Sequence, residues 1–158
     1  MADIWNKYAD TAARKHGKRG REVRPKSITI DAHTHIAVPR AGEFIKPHLD
    51  VSTIPLAHFA SAETKAINAK QEADIRGCMT GYDERFAIMD KMGVDMQLVM
   101  PPPPQCYHTV AIEYAVPAAR MINEGVAEFV SRHKDRFIPC GTVPMQDGNE
   151  SAKELERC

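Results

Sequence analysis

Residues 31–35 have the sequence DAHTH, which places an aspartate and two histidines at a spacing of two. The preceding residues 27–31 alternate apolar and polar side chains, as a short β-strand does. Side chains two apart on a strand lie on the same face, with their Cα atoms about 6.6 Å apart. We therefore expect Asp31, His33 and His35 on one face, where two neutral imidazoles can bind one divalent ion.

A pair of surface histidines is the competing interpretation of an isolated H-x-H sequence. The strand context and the preceding aspartate favour a metal site, because barrel enzymes build their active sites at the carboxyl ends of parallel strands. Further histidine and aspartate ligands beside His33 and His35 would leave an open position for water or substrate, as catalytic sites require. Asp31 can orient a ligating imidazole or accept hydrogen bonds from nearby amides, and both roles stay open.

Other catalytic motifs are missing from the sequence. Ile36, Ala37 and Val38 follow the two histidines, so the H-x-H-x-D-H pattern of metallo-β-lactamases does not occur. There is no Walker A loop, no G-x-G-x-x-G turn and no G-x-S-x-G elbow. The four cysteines contain no C-x-x-C pair and are predicted to be free thiols.

The composition is that of one soluble globular domain, with 158 residues, 43% hydrophobic residues and 21 Lys plus Arg against 21 Asp plus Glu. The net charge of zero gives no general attraction for polyanions, and no apolar run approaches the roughly 18 residues of a membrane span. Nucleic acid and membrane are therefore not expected as partners. The first residues lack the features of a secretory signal, which predicts a cytoplasmic location.

The chain divides into a short N-terminal unit and a longer unit of strands and helices. Residues 1–26 are predicted to be a helix and a basic linker, and residues 27–158 to be the folded part. No regular element is expected over residues 36–60, because three prolines interrupt them. Gly93 is expected to end the helix before it. Strands are predicted at 27–35, 94–100 and 137–143, and helices at 61–73, 83–92 and 109–132. Within the last of these helices, Pro117 marks a kink or a second start. A final helix is predicted after Asn149, which would be its N-terminal cap.

Strand and helix alternate three times, which predicts parallel strands joined by right-handed crossovers and hence an α/β fold. A closed (β/α) barrel contains eight such units in roughly 250 residues. The chain is therefore either a small open sheet or the front of a barrel. We favour the barrel, because the sequence stops at Cys158 within a helical pattern.

Four segments are similar to one known family and occur in the family's order. They are IDAHTHI at 30–36, ERFAIMDKMGVDMQLV at 84–99, NEGVAEFVSRHKDRFIPCGTVPMQD at 123–147 and AKELERC at 152–158. On these segments the sequence resembles the amidohydrolase-related metal-dependent enzymes, and within them the aminocarboxymuconate semialdehyde decarboxylase-like branch. Residues 1–26 and 37–80 have no counterpart in this resemblance.

The resemblance implies an amidohydrolase-type TIM (β/α)8 barrel, of which residues 27–158 would form about the first three βα units. It implies one divalent metal, commonly zinc, with His33 and His35 as ligands. It also places a further histidine and aspartate ligand, and the remaining catalytic residues, beyond Cys158. Because two imidazoles alone form a weak site, we expect the chain by itself to bind metal weakly and to show no turnover.

The resemblance favours a carboxy-lyase that decarboxylates a small unsaturated or aromatic carboxylic acid without oxidation. Hydrolysis on the same scaffold is the alternative, since fold and metal do not fix the reaction, and an inactive fragment that acts only by association is a third. Arg76, which is expected in a loop, is a candidate for binding the substrate carboxylate. His108 and Gln146 are candidates for lining the mouth of the pocket. For all three residues, ordinary surface polarity is the competing interpretation. The expected partners are a small carboxylate substrate and further copies of the chain in a homo-oligomer.

Overall fold

Three strands form one parallel sheet in the order β1-β2-β3. The computed structural model describes residues 28–158, so the helix and linker predicted over residues 1–26 lie outside the described residues. No helix within the described range is long and apolar enough to cross a membrane. The elements are β1 (Ile30–His35), α1 (Pro39–Ile45), α2 (Pro55–Phe59), α3 (Ala62–Thr80), α4 (Asp83–Met92), β2 (Met96–Met100), α5 (Ile112–Ser131), β3 (Phe137–Pro139) and α6 (Gly148–Arg157), with 3-10 turns at Lys46–His48, Val51–Thr53 and Pro103–Cys106.

The pairing of β1 with β2 contains a β-bulge. Asp31 is opposite Gln97, whereas Thr34, three residues later, is opposite Val99, which is only two residues later. One additional residue on β1 is therefore left unpaired, which bends the strand locally. β2 pairs with β3 in parallel without an interruption. The predicted parallel α/β arrangement is confirmed.

The core lies between the sheet and α5. Positions four apart on a helix share one face, and Ala118, Ile122 and Val126 of α5 are each no more than 1% exposed. They form one buried cluster with Val99 of β2 and Phe137 of β3. Burial of this apolar face, at roughly 25 cal/mol per Å², holds α5 against the sheet.

Helix α4 ends at the glycine that its sequence predicts. Gly93 has φ 72° and ψ 27°, a left-handed conformation that glycine adopts without a Cβ penalty, and its N–H bonds to the carbonyls of Met89 and Asp90. Met89 is fully buried, and Phe86 and Met92 pack against the same core. The side of α4 that carries these three residues therefore faces the core, and the predicted end of the helix at Gly93 is confirmed.

The prediction that residues 36–60 contain no regular element is wrong. Helices α1 and α2 lie within this segment, and each has a proline, Pro39 or Pro55, at its start. Proline is favoured at the first helical position, because the N–H that it lacks would have no partner within the helix. These two prolines therefore begin helices instead of interrupting the chain.

Other element boundaries also differ from the prediction. α3 continues to Thr80 instead of stopping near residue 73, because the helix persists where its sequence pattern weakens and Gly77 does not end it. α5 runs as one helix through Pro117 and does not start a second time there, because a single proline near the helix start removes only one hydrogen bond. α6 is capped by Asp147, whose carboxylate accepts a hydrogen bond from the N–H of Asn149, so Asn149 is not the cap.

A buried polar network joins α6, α5 and the loop after β3. Glu154 is 2% exposed and accepts a hydrogen bond of 2.7 Å from Nδ2 of Asn123. Asn123 also donates to the carbonyl of Thr142 and accepts from its N–H, both at 2.8 Å. Because this side chain binds the backbone of Thr142, β3 is shorter than predicted. Hydrogen bonds from Arg157 lower the pKa of Glu154.

We predict that Gly125→Ala lowers the free energy of unfolding by about 1–2 kcal/mol, although alanine is the better helix former. A Cβ at Gly125 would lie 2.6 Å from Cγ1 and 2.8 Å from Cγ2 of Val38, which is itself buried. Urea denaturation measures the loss. Gly148→Ala, with no atom within 4 Å of the added Cβ, is the control and should not lose stability. Equal behaviour of the two variants would contradict this packing.

We also predict that Glu154→Gln lowers the free energy of unfolding at about pH 7 by roughly 1–3 kcal/mol, because hydrogen bonds to a charged partner are lost. The folded-state pKa of Glu154 lies below its usual 4.5, so the unfolded state binds the proton more readily. Its contribution is therefore complete above pH 4.5 and declines as the pH falls below that value. Urea denaturation across this range should show a flatter acid dependence for Glu154→Gln, whereas the exposed control Glu156→Gln should follow the native curve.

Candidate metal centre

The two histidines lie next to each other at the carboxyl end of β1. The ring centroids of His33 and His35 are 4.9 Å apart, and the ring planes make an angle of 84°. Between them, Oγ1 of Thr34 donates a hydrogen bond of 2.9 Å to the carbonyl of Leu98 on β2, which fixes this part of the strand. The structure therefore brings the two imidazoles together, although the β-bulge interrupts the regular alternation of β1.

The ring separation fits a shared metal ion. Imidazole nitrogens bind zinc at about 2.1 Å, so two rings on one tetrahedral ion have centroids roughly 5 Å apart. An edge-to-face aromatic contact covers the same range. Nδ1 of His35 favours the metal ion, because it is buried and has no hydrogen-bond partner within residues 28–158. Leaving a buried polar atom unpaired costs about 1–3 kcal/mol, a cost that a ligand at this position would remove.

The donor set formed by the two histidines is incomplete. Within residues 28–158, no group of three or more His, Cys, Asp or Glu side chains is placed to hold a metal ion. A catalytic zinc site uses three protein ligands and keeps one open position. His33 and His35 would therefore supply two of the ligands that such a centre needs.

Asp31 interacts with the backbone next to the first histidine. Its Oδ1 accepts a hydrogen bond of 3.2 Å from the N–H of His33. Of the two roles that the sequence leaves open for Asp31, this contact corresponds to the second, hydrogen bonding to a nearby amide. The bond joins Asp31 to the next residue but one, within the stretch between Asp31 and Thr34 where the bulge lies.

A buried arginine that no sequence motif marks lies behind the end of β1. Arg85 of α4 is 5% exposed. Its Nη2 donates to the carbonyl of His35 at 2.6 Å, its Nη1 to Oε1 of Gln97 at 2.8 Å, and its Nε to the carbonyl of Cys78 at 2.9 Å. Burial lowers the pKa of Arg85, while the charge of Asp31 acts in the opposite direction.

Helical spacing is the signal that could have identified this arginine. Residues four apart lie on the same side of a helix, so Arg85 shares its side of α4 with the core residue Met89. Charged residues are almost never fully buried unless they are paired. An arginine on the apolar side of an amphipathic helix therefore indicates a specific buried interaction.

The structure places Arg76 in a helix and not in a loop. It lies near the end of α3, where Oγ1 of Thr80 donates to its carbonyl at 3.3 Å, and its side chain is exposed. The loop prediction is wrong because α3 continues beyond the point at which its sequence pattern weakens. The binding of a substrate carboxylate by Arg76 stays a prediction.

His108 lies in the loop after β2 and is exposed. It lines a cavity of about 280 Å³, and neither of the two clustered histidines is among the lining residues. Nε2 of Gln146 donates to the carbonyls of Tyr107 and Val110, both at 2.8 Å, so Gln146 holds the loop that carries His108. Contact between His108 and a substrate stays a prediction.

The loops after β1 and β2 are joined by another side-chain amide. Oε1 of Gln105 accepts a hydrogen bond of 2.9 Å from the N–H of Val38, and its Nε2 donates to the Val38 carbonyl at 3.3 Å. Tyr107 follows with φ 49°, a left-handed conformation that is uncommon for residues other than glycine. Gln105 and Gln146 thus fix the loops at the edge of the sheet where the two imidazoles lie.

Comparison with known protein families assigns the chain to a class. The family model described as Amidohydrolase matches residues 30–158, which include both candidate ligands and all three strands. The chain therefore belongs to the amidohydrolase family. The resemblance identified from the sequence motifs is confirmed.

Two curated relatives are decarboxylases. The chain is 30% identical over 135 residues to 2-amino-3-carboxymuconate-6-semialdehyde decarboxylase from Dictyostelium discoideum, which covers 84% of the chain and 37% of the relative. It is 31% identical over 107 residues to gamma-resorcylate decarboxylase from Polaromonas sp. (strain JS666 / ATCC BAA-500), which covers 64% of the chain and 33% of the relative. The chain thus spans about a third of the length of these relatives.

Solved structures share the fold. A dihydroxybenzoic acid decarboxylase from Polaromonas sp. JS666, with bound manganese and the inhibitor 2-nitroresorcinol, superposes with a TM-score of 0.60 at 24% identity, over 84% of this chain and 35% of that one. A 5-carboxyvanillate decarboxylase from Sphingomonas paucimobilis gives 0.60 at 23% identity, over 82% and 38%. The sheet and helices of the chain therefore follow the fold of part of these enzymes.

Proposed function

We propose that the chain is the first part of a (β/α)8 barrel that binds a divalent metal through His33 and His35. The reaction is the non-oxidative decarboxylation of a small aromatic or unsaturated carboxylic acid. The pair of imidazole rings 4.9 Å apart, one with a buried nitrogen that lacks a partner within residues 28–158, carries this proposal. The pair also lies at the carboxyl end of a parallel strand, where barrel enzymes build their active sites.

The names of the relatives support the reaction class. One is a decarboxylase of a carboxymuconate semialdehyde and the other of gamma-resorcylate. A structural neighbour named for dihydroxybenzoic acid contains manganese. We infer a small carboxylate as substrate, Mn²⁺ or Zn²⁺ as the metal, and a homo-oligomer as the assembly of the complete enzyme.

The residues of this chain would hold the metal and fix its surroundings. His33 and His35 would bind it through neutral imidazole nitrogens, while Asp31 steadies the backbone at His33. A bound divalent ion would orient a substrate oxygen or carboxylate and stabilise the charge that develops during the reaction. Because the chain spans about a third of its relatives, groups outside residues 28–158 would complete the ligand set.

Hydrolysis is the second candidate, because the matching family model is described as Amidohydrolase. Fold and metal are compatible with either reaction. The two decarboxylases at 30% and 31% identity favour the carboxy-lyase. Offering gamma-resorcylate and an amide or lactone to one metal-loaded enzyme that contains these residues within a complete ligand set distinguishes the two reactions.

Titration of the purified chain with Zn²⁺ and with Mn²⁺, followed by calorimetry, tests the metal centre. We expect one weak site whose affinity falls at least about tenfold, or 1.4 kcal/mol, in His33→Ala and in His35→Ala, because each variant loses one of two ligands. His58→Ala, which removes an exposed histidine of α2, should leave the affinity unchanged. Unchanged affinity in both ligand variants, or tight binding with turnover by the chain alone, would contradict the proposal.

The reaction is tested in a chimaera in which residues 28–158 replace the matching segment of the gamma-resorcylate decarboxylase from Polaromonas sp. We expect metal-dependent release of carbon dioxide from gamma-resorcylate, and loss of that release in folded His33→Ala and His35→Ala variants. Circular dichroism and size-exclusion chromatography verify the folding. A folded, metal-loaded chimaera that hydrolyses an amide or lactone but does not decarboxylate gamma-resorcylate would support the hydrolase.

A further inference from the structure

The peptide group that follows His35 is held at both of its polar atoms. Its carbonyl accepts the hydrogen bond of 2.6 Å from Arg85, and its N–H, which belongs to Ile36, donates to the carbonyl of Met100 at 3.0 Å. A peptide group is planar, so fixing both atoms fixes its orientation. That orientation constrains the backbone angle ψ at His35 and with it the direction of the Cα–Cβ bond from which the imidazole extends.

The guanidinium group of Arg85 reaches this carbonyl from a fixed position. Its donors bind three segments at once: the carbonyl of His35 at the end of β1, Oε1 of Gln97 on β2, and the carbonyl of Cys78 near the end of α3. Its Cζ lies 5.8 Å from the centre of the Phe129 ring on α5. Because the guanidinium is a rigid planar fork, these contacts determine where its Nη2 points.

Burying this arginine does not favour stability by itself. Arg85 is 5% exposed, and its described hydrogen-bond acceptors are two backbone carbonyls and an amide oxygen. Well-packed apolar residues are often as stabilising as a buried ion, or more so. Stability alone therefore does not account for a charged group at this position, whereas its hydrogen bond to the His35 carbonyl orders the backbone beside a candidate ligand.

We propose that Arg85 is a positioning residue for the metal centre, which holds the carbonyl of His35 and thereby aims its imidazole at the ion shared with His33. This inference rests on the proposed metal site and goes beyond it, because Arg85 is not itself a ligand. If Arg85 only stabilised the fold, replacing it would lower the free energy of unfolding without a selective loss of metal affinity.

Comparison of Arg85→Met with Arg136→Met separates these two roles. Arg136 is a matched control, because it also donates to a backbone carbonyl, that of Asp95 at 2.9 Å, and lies 4.9 Å from the centre of the Phe86 ring. We expect both variants to lower stability in urea, because the carbonyls that each arginine binds lose their donor and methionine supplies none. Only Arg85→Met should weaken Zn²⁺ binding, by about 10- to 100-fold, the usual range for residues that support metal ligands.

A double-mutant cycle and a measurement without metal make the assignment specific. In a His35→Ala background no second imidazole is left to position, so Arg85→Met should cause no further loss of Zn²⁺ affinity. Before metal is added, the nuclear Overhauser effect between the ring protons of His33 and His35 should weaken in Arg85→Met. It should persist in Arg136→Met.

If Arg85→Met does not fold, as judged by circular dichroism, the same comparison is made with Arg85→Lys. Lysine keeps the charge without the planar fork, so this variant should lose Zn²⁺ affinity by a smaller factor. Full affinity in a folded Arg85 variant, an equal loss in Arg136→Met, or a loss that persists in the His35→Ala background would overturn the proposal. If His33→Ala and His35→Ala themselves leave the affinity unchanged, the metal site of the proposed function is wrong and the role of Arg85 falls with it.

Discussion

The pairing of β1 with β2 determines where the two imidazoles lie. Asp31 pairs opposite Gln97, and after one additional residue Thr34 pairs opposite Val99. Because pairing register sets the face on which each side chain lies, the bulge between these pairs determines the direction of the two histidine side chains relative to the sheet. The hydroxyl of Thr34 reinforces the register by donating to a carbonyl of β2. The proximity of the rings therefore follows from the backbone of the sheet and does not require a metal to create it.

Buried polar groups extend this constraint from the sheet to its surroundings. Arg85 holds the carbonyl of His35 from α4, and Gln105 binds both backbone groups of Val38 in the loop that follows β1. Gln146 fixes the loop after β2 from the loop after β3. Binding sites function when such neighbours hold their groups in one geometry. In this chain, the carboxyl edge of the sheet has that support on several sides.

Patterns that depend on neighbours in the sequence predicted much of this molecule. The alternation of strands and helices gave the parallel sheet, Gly93 gave the end of α4, and the H-x-H spacing gave the proximity of His33 and His35. The helices within residues 36–60 were missed, because a proline that begins a helix and one that interrupts a chain look the same in sequence. The bulge depends on register between strands, and Arg85 acts on a carbonyl 50 residues away. Helical spacing marks Arg85 as buried, but neither its partner at His35 nor the bulge follows from a local pattern, so both required the structure.

Paramagnetic line broadening by Mn²⁺ is the most direct test of a centre formed by His33 and His35. Unpaired electrons broaden the signals of nearby nuclei steeply with distance, so a small amount of Mn²⁺ identifies the ligand rings among the seven histidines of the chain. The ring signals of His33 and His35 should disappear together while those of the other histidines stay sharp. Broadening of only one of the two, or of another histidine first, would contradict a shared site.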